Sequence, residues 1–431
     1  MRILHAARNI ANQPGDTVRA LRRLGHEAEL WEYGPNPFGY PTDRRIDLKQ
    51  GDPTVFWRTF LESIERFDVI HFHFARTFFP NAWGGVPAFW DLPIYRMLGK
   101  KVFFTFHGSD IRIRRIHEQV NPWSYYRYSD IASDDDRTEK VIEAIRTYAN
   151  RMFIQSIDYR HFVPEAEVVE RIIDLSAWPE QLPEQRSEPV ILHVPSRRGT
   201  KGTEFVIAGM KQLAEQGHRF SFSLLEGVSH DEARRAIQAA DIVVDNLLTG
   251  DYEVVSLEAM ASSRVAVANI QASVAAAYPD APVVSADPDT FGARMAELLA
   301  DLDGRRDLAA RGRPYVARVH DAPVIAEKLL GFYRADYPPV RPGALPDWFS
   351  LDGKRQIERL ESRIAGLEQE VARERHAQNR LRAKLGQPPL PIAERGDPRE
   401  LSEKAKAALP EPIRLALRRT RARVSRRGRP H

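Results

Sequence analysis

Not one of the 431 residues is cysteine, so disulfides, thiolate metal centres and a cysteine nucleophile are all excluded. Catalysis, if any, falls to carboxylates, histidines, hydroxyls and bases. No stretch approaches the roughly eighteen consecutive apolar residues of a membrane-spanning helix. The opening Met1-Arg-Ile-Leu-His-Ala-Ala-Arg8 breaks its apolar run at His5 and Arg8 and lacks a signal-peptide core, so a cytoplasmic protein is expected. Gly-x-Gly-x-x-Gly is missing, and with it the usual dinucleotide fingerprint of a dehydrogenase. A broad excess of one charge is missing too. The net charge of +4 is local, because Arg414 to His431 hold eight arginines and no acid. Without that segment 55 basic residues face 59 acidic ones, so the body is mildly acidic and no specific nucleic-acid binding is expected.

What is present is an alternation of strands and helices. Ile3 to Ala7, Asp16 to Leu24 and Glu27 to Trp31 read as a βαβ opening, and further strands are legible at 69–73, 102–106 and 152–154. After a Pro- and Glu-rich stretch from Trp178 to Pro189 the pattern restarts. Strands at 190–194, 220–225, 242–244 and 265–268 alternate with helices at 202–216, 231–240 and 257–262. The expected class is α/β: two doubly wound Rossmann-like domains, 1–165 and 187–322, facing a cleft. A return helix at 323–336 and a Pro-rich linker at 337–350 follow. Ile357, Leu360, Ile364, Leu367 and Val371, with Leu381 and Leu385, then space an apolar seam over 351–386. It reads as a coiled coil that could pair two copies, or as one amphipathic helix lying on the body. The Pro- and Arg-rich stretch 387–431 is expected to be disordered. Its arginines, Arg414 to Arg429, could touch an anionic membrane at about 1 kcal/mol each, or bind polyanions incidentally.

Three segments carry candidate chemistry. Asp241-Ile-Val-Val-Asp245-Asn-Leu-Leu-Thr-Gly250-Asp251-Tyr-Glu253-Val-Val-Ser-Leu-Glu258 runs from a strand through a polar loop into a helix. Free N–H groups at such a helix start suit a phosphate, and Glu258, one turn in, can accept from the vicinal hydroxyls of a ribose. Thr105-Phe-His107-Gly-Ser-Asp110 places an imidazole and a carboxylate at a strand end; the competing interpretation is a capping Asp110 beside a structurally bonded His107. His193-Val-Pro-Ser196-Arg197-Arg198-Gly-Thr200-Lys201-Gly202 sets three cations at a strand-to-helix turn, as a diphosphate requires. Asp134-Asp135-Asp136 reads as a solvated loop or helix cap, and no metal is assigned.

Over about the first 335 residues these segments resemble, in order and spacing, the GT-B glycosyltransferases of the GT4 type, retaining enzymes that use nucleotide sugars. The resemblance implies that Lys201-Gly202 holds the donor diphosphate. The family arginine, five positions before that lysine, falls on Ser196, so Arg197 or Arg198 substitutes. Of two family glutamates eight apart, Glu258 is the second, on the ribose. The first falls on Gly250, which passes sugar contacts to Asp251, Glu253 or backbone amides.

The resemblance further implies that the amides from Val254 and Val255 to Ser256 stabilise the leaving phosphate and that His107 positions the sugar or its phosphate, with Asp110 beside it. The family's Gly-rich first loop is replaced here by Arg8 to Gly15, where Asn9 and Asn12 would face the acceptor. It also implies a UDP- or GDP-sugar donor, no cofactor, no metal, and a glycan or glycolipid acceptor in cell-surface synthesis at the inner membrane face. A nucleotide-sugar epimerase of the same architecture and a non-catalytic sugar-nucleotide-binding tether are the alternatives.

Overall fold

The computed structural model describes residues 1–46, 53–79, 88–180, 186, 188–338 and 373. Met1–Gln356 form one compact unit and Ile357–His431 a second. Of the expected helix at 351–386 only Arg373 is described, in helical conformation; most of the Pro-rich linker and all of the basic segment 387–431 lie outside the described residues.

The first unit holds two wholly parallel sheets. One contains β1 (Arg2–Ala6), β2 (Glu27–Tyr33), β3 (Arg44–Ile46), β4 (Val69–His73), β5 (Lys101–Phe106), β6 (Arg151–Ile154) and β7 (Glu167–Val168), in the order β3-β2-β1-β4-β5-β6-β7. The other contains β8 (Val190–His193), β9 (Ser221–Leu224), β10 (Ile242–Asn246), β11 (Val265–Ala268) and β12 (Val283–Ser285), in the order β12-β11-β10-β8-β9. Strands covered on both faces read as near-continuous apolar runs, and every residue of β4, β10 and β11 is buried, including the polar His71, His73, Asp245 and Asn246. The expected α/β class with two Rossmann-like sheets is thus observed. The first sheet ends past residue 165, because β7 is two residues long and carries no readable alternation.

Both sheets reverse their winding once, between β1 and β4 and between β8 and β10. In open parallel sheets the crevice at such a switch point collects ligands at the strands' carboxyl ends.

Local signals set the helix starts. Asp321 accepts from the amide of Ala322 at 2.9 Å, and Pro323 follows in the first turn of helix Ala322–Arg334. That helix packs Ile325, Ala326, Leu329, Leu330 and Tyr333 against Ile3, Val18, Leu30 and Phe103 of the first sheet's layer. Each large apolar side chain so covered contributes roughly 1.5–3 kcal/mol. Ser229 and Glu232 form a reciprocal capping box at helix His230–Ala239. Asp134, from the acidic triplet, caps helix Asp135–Tyr148 through the amide of Arg137 at 3.0 Å. No described helix is long and apolar enough to cross a membrane.

Candidate functional site

At the second switch point β10 delivers Asp245, 2% exposed, beneath the start of helix Val254–Ala261. Its Oδ2 accepts from the amides of Glu253 (2.9 Å) and Ser256 (3.2 Å) and from Ser256 Oγ (2.8 Å). These amides belong to the orphan donors every helix start carries, and Asp245 satisfies them with a charge. Its Oδ1 accepts from Lys201 Nζ at 2.7 Å, and the same ammonium donates to Glu253 Oε2 at 2.5 Å. Lys201 closes the short helix Arg198–Lys201 after β8, so one lysine ties the two strand-to-helix turns together. Burial disfavours its charge, but the two carboxylates outweigh burial and hold it above the usual lysine range. Burial likewise works against Glu253, yet Lys201, Arg112 and Arg171 bring it down to about 2.

The first sheet supplies the two arginines. Arg112 Nη2 lies 3.6 Å from Glu253 Oε1, and Arg171 Nη1 lies 2.7 Å from Asp251 Oδ2. Both also donate to Tyr159 Oη, at 3.4 and 3.0 Å, and that hydroxyl donates to the carbonyl of His107 at 3.4 Å. Gly108 has φ 111°, and a Cβ there would stand 2.6 Å from Tyr159 Oη; the contact therefore needs glycine on two counts. The result is a buried cluster in which Lys201, Arg112 and Arg171 face Asp245, Glu253 and Asp251, joining groups from both sheets. Such a cluster adds little net stability, but removing one member strands a charge at a cost of about 3–5 kcal/mol.

The remaining sequence-derived residues fall in three places. Arg198 turns away from the cluster to Glu204 (2.7 Å) and Glu226 (2.6 Å), whereas exposed Arg197 has no ion-pair partner among the described residues. Ser196 is exposed beside them, and Gly202 packs on Leu247 and Leu248. Val254 and Val255 are half-buried at the helix start. Glu258, 6% exposed, accepts from His230 Nε2 at 2.8 Å, and Tyr40 of the first sheet's side lies with its ring 5.1 Å from His230. Asp16 belongs to the same end of the cleft: burial pushes it up to about 7, with repulsion from Asp174 and Glu258 adding to the rise.

On the first sheet, Asp110 Oδ1 accepts from the amides of His107 (3.0 Å) and Gly108 (2.8 Å), so it does cap that turn. Its Oδ2 is buried without a partner among the described residues, and burial lifts the carboxyl to about 7. His107 Nε2 lies 3.1 Å from His73 Nδ1. Asn9 donates to the carbonyl of Pro41 (3.3 Å), and Asn12 donates to Asp16 Oδ1 (3.0 Å).

Gly250 adopts φ 90°, and a Cβ there would lie 2.7 Å from Gln271 Nε2. A glutamate there would have to adopt this left-handed backbone and displace the Gln271 side chain. Arg112, Arg171 and Tyr159 were not legible as site residues. The one available signal was a cation beside apolar residues, Ile111-Arg112-Ile113 and Arg171-Ile172-Ile173.

No protein-family model and no curated protein matches the chain. Among solved structures it is similar to sucrose-phosphate synthase from Thermosynechococcus elongatus, with TM-score 0.56 and 16% identity over 78% of this chain and 98% of that one. It is also similar to Anabaena HepE in complex with UDP, with TM-score 0.52 and 12% identity over 77% and 99%. The catalytic domain of starch synthase IV from Arabidopsis thaliana, bound to ADP and acarbose, matches with TM-score 0.51 and 11% identity over 77% and 98%. The chain has the GT-B fold. At these identities the likeness is one of fold alone.

Proposed function

We propose that the chain is a retaining glycosyltransferase of the GT4 type, moving a sugar from a nucleoside-diphosphate sugar to an acceptor hydroxyl. The observation that carries this reading is the meeting of Lys201 with the start of helix Val254–Ala261 at the β8/β10 switch point, around an anion that Glu253 itself provides. In this proposal the Glu253 carboxylate stands where a donor phosphate would sit, and the donor displaces it. Solved structures of the same fold hold UDP and ADP, which supports a nucleotide as the ligand.

In the proposed reaction the anomeric carbon–oxygen bond breaks with charge gathering on the departing diphosphate, while the acceptor hydroxyl enters from the same face. No protein nucleophile is required. Lys201 and the amides of Val254 to Ser256 stabilise that charge, an effect worth about 2.7–4 kcal/mol per well-placed donor in a water-poor site. Arg197 supplies the second cation, being unengaged where Arg198 is held by Glu204 and Glu226. Glu258 takes the ribose hydroxyls once His230 yields, and Ser196 and Gly202 shape the loop. His107 and Asp110 border the transferred sugar, and Asn9 and Asn12 face the acceptor. The donor is a UDP- or GDP-sugar used without metal, and the acceptor a glycan or glycolipid of cell-surface synthesis. Pairing through 351–386 and membrane contact through Arg414 to Arg429 belong to the same proposal.

One observation favours a second reading, a sugar-nucleotide-binding tether without turnover: three carboxylates already neutralise the three buried cations. A thermal-shift panel of UDP, GDP, ADP and their sugar conjugates tests both, since saturating ligand at a hundredfold its Kd stabilises by about 2.7 kcal/mol. A shift accompanied by sugar transfer supports the enzyme, and a shift without transfer supports the tether. No shift with any nucleotide at millimolar concentration overturns both.

A further inference from the structure

We propose that a one-directional hydrogen-bond relay, buried at the β1/β4 switch point, fixes the ring of His107 as its Nδ1–H tautomer, with Gln13, Gln155, His73 and His5 as positioning residues. Its direction starts from backbone. Gln13 Nε2 donates to the carbonyl of Ile172 at 2.8 Å, and Gln13 Oε1 accepts from the Ile172 amide at 2.9 Å, so this side-chain amide has one possible orientation. Gln155 Nε2 donates to the same Oε1 at 3.0 Å, which fixes the orientation of this amide, and its hydrogen bond with His107 favours a protonated ring, so the Gln155 oxygen is the acceptor.

From there each neutral imidazole has one donor and one acceptor, and the order propagates. The Gln155 side chain hydrogen-bonds the His107 ring and favours its protonation, and His107 Nε2 faces His73 Nδ1 at 3.1 Å, so Nδ1 is the nitrogen that donates to Gln155 and Nε2 the one that accepts from His73. His73 Nε2 then accepts from His5 Nδ1 at 2.9 Å, and His5 Nε2 accepts from Tyr333 Oη at 3.5 Å. Tyr333 Oη in turn accepts from His71 Nδ1, and His71 Nε2 accepts from Thr105 Oγ1 at 2.7 Å. Every donor meets an acceptor. His5, His71 and His73 are each at most 3% exposed, and the His71 and His73 rings stack at 4.7 Å, 4° from coplanar. Burial holds all four imidazoles neutral, as the relay requires.

The same geometry separates this arrangement from a metal site. Ligand atoms of His5, His71 and His73 come within 4.8 Å of one another, but the ring nitrogens of His71 and His73 are each paired with a neighbour. For the glycosyltransferase reading, on which this consequence rests, His107 is a fixed wall of the sugar pocket with no ring nitrogen free to abstract a proton.

The test is a long-range ¹H–¹⁵N correlation spectrum of the full chain labelled at histidine, at pH 7. Expected are four neutral rings, His5, His71, His73 and His107, all protonated at Nδ1, the form free histidine populates less. Gln155→Leu should release the His107 tautomer, and Gln155→Glu, which keeps an acceptor oxygen, should retain it. An Nε2–H or doubly protonated ring among the four, an unchanged His107 in Gln155→Leu, or stoichiometric metal in the purified protein each overturns the relay. None of these readouts needs a substrate, so the relay and the proposed activity fail separately. Where transfer is measured, Gln155→Leu should lower kcat by about tenfold at unchanged KM.

Discussion

The Lys201 ammonium lies 2.5 Å from a carboxylate oxygen of Glu253, at the head of helix Val254–Ala261. An anion supplied by the chain itself therefore occupies the place where a buried ammonium meets a helix N-terminus. Lys201, Arg112 and Arg171 outweigh burial and hold Glu253 well below the usual carboxylate range, so it stays charged at neutral pH. Glu253→Gln keeps the shape and removes the competing charge. UDP affinity should rise about tenfold, equal to roughly 1.4 kcal/mol, in titration calorimetry. Unchanged or weaker binding would show that this is not the phosphate seat.

Lys201→Ala removes the counter-charge of two carboxylates at once, so a loss of activity in it cannot be separated from a loss of fold. The single variant should lose about 3–5 kcal/mol in urea unfolding. Adding Glu253→Ala should recover a substantial part of that loss. If the two changes add within about 0.5 kcal/mol, the residues are not coupled as the 2.5 Å contact indicates.

Placing a glutamate at position 250, where the GT4-type resemblance expects one, should fail. Gly250→Glu demands a side chain at φ 90° with its Cβ 2.7 Å from the Gln271 amide nitrogen. The strained backbone alone costs about 1–3 kcal/mol, before Gln271 is displaced. A thermal midpoint equal to that of the parent chain would refute the left-handed conformation.

Acid should destabilise the protein well above the carboxylate range. His5, His107, His117 and His320 are held at about 3, His193 at about 4, and His71 and His73 well below 6.5, in each case chiefly by burial. Below pH 6.5 the unfolded chain takes up protons at these sites and the folded chain does not, so stability falls as pH drops from 6.5 toward 4. Asp16, Asp91, Asp110 and Asp158, raised to about 7 mainly by burial, act in the opposite sense over the same window, because the folded chain keeps their protons longer. The seven histidines outnumber them. The thermal midpoint should fall steadily between pH 6.5 and 4.5, and a midpoint that rises would contradict the neutral buried imidazoles.

Much of this architecture was legible because parallel strands write themselves as apolar runs, as at Val69 to His73 and Val265 to Ala268. Strands β3, β7 and β12 were not, since two or three residues cannot show a period. The helix Leu302–Val319 was hidden by Gly304, Gly312 and Pro314, residues that oppose helix locally and are carried here by tertiary packing. Gly312 in particular lies against the backbone of Met260, closer than any side chain would permit.

At the site, Lys201, Asp245 and Glu253 stood in readable turns. The arginines that complete the cluster, Arg112 and Arg171, are set by folding across 80 or more residues of chain, and nothing in their neighbourhood names the carboxylate each one meets. The histidine relay shows the same division: His71 and His73 share a face of one strand by alternation, but Tyr333 reaches His71 from a helix 262 residues further on.

That distant helix has a consequence for biosynthesis. Ile3, Leu30 and Phe103 leave the ribosome early, but the surface that covers them, Ile325 to Tyr333, is translated only after the whole second sheet. Until then the earlier half presents a bare greasy flank and an incomplete imidazole chain, a species prone to stick to others of its kind. Nascent chains arrested before Ala322 should therefore be the ones that chaperones hold.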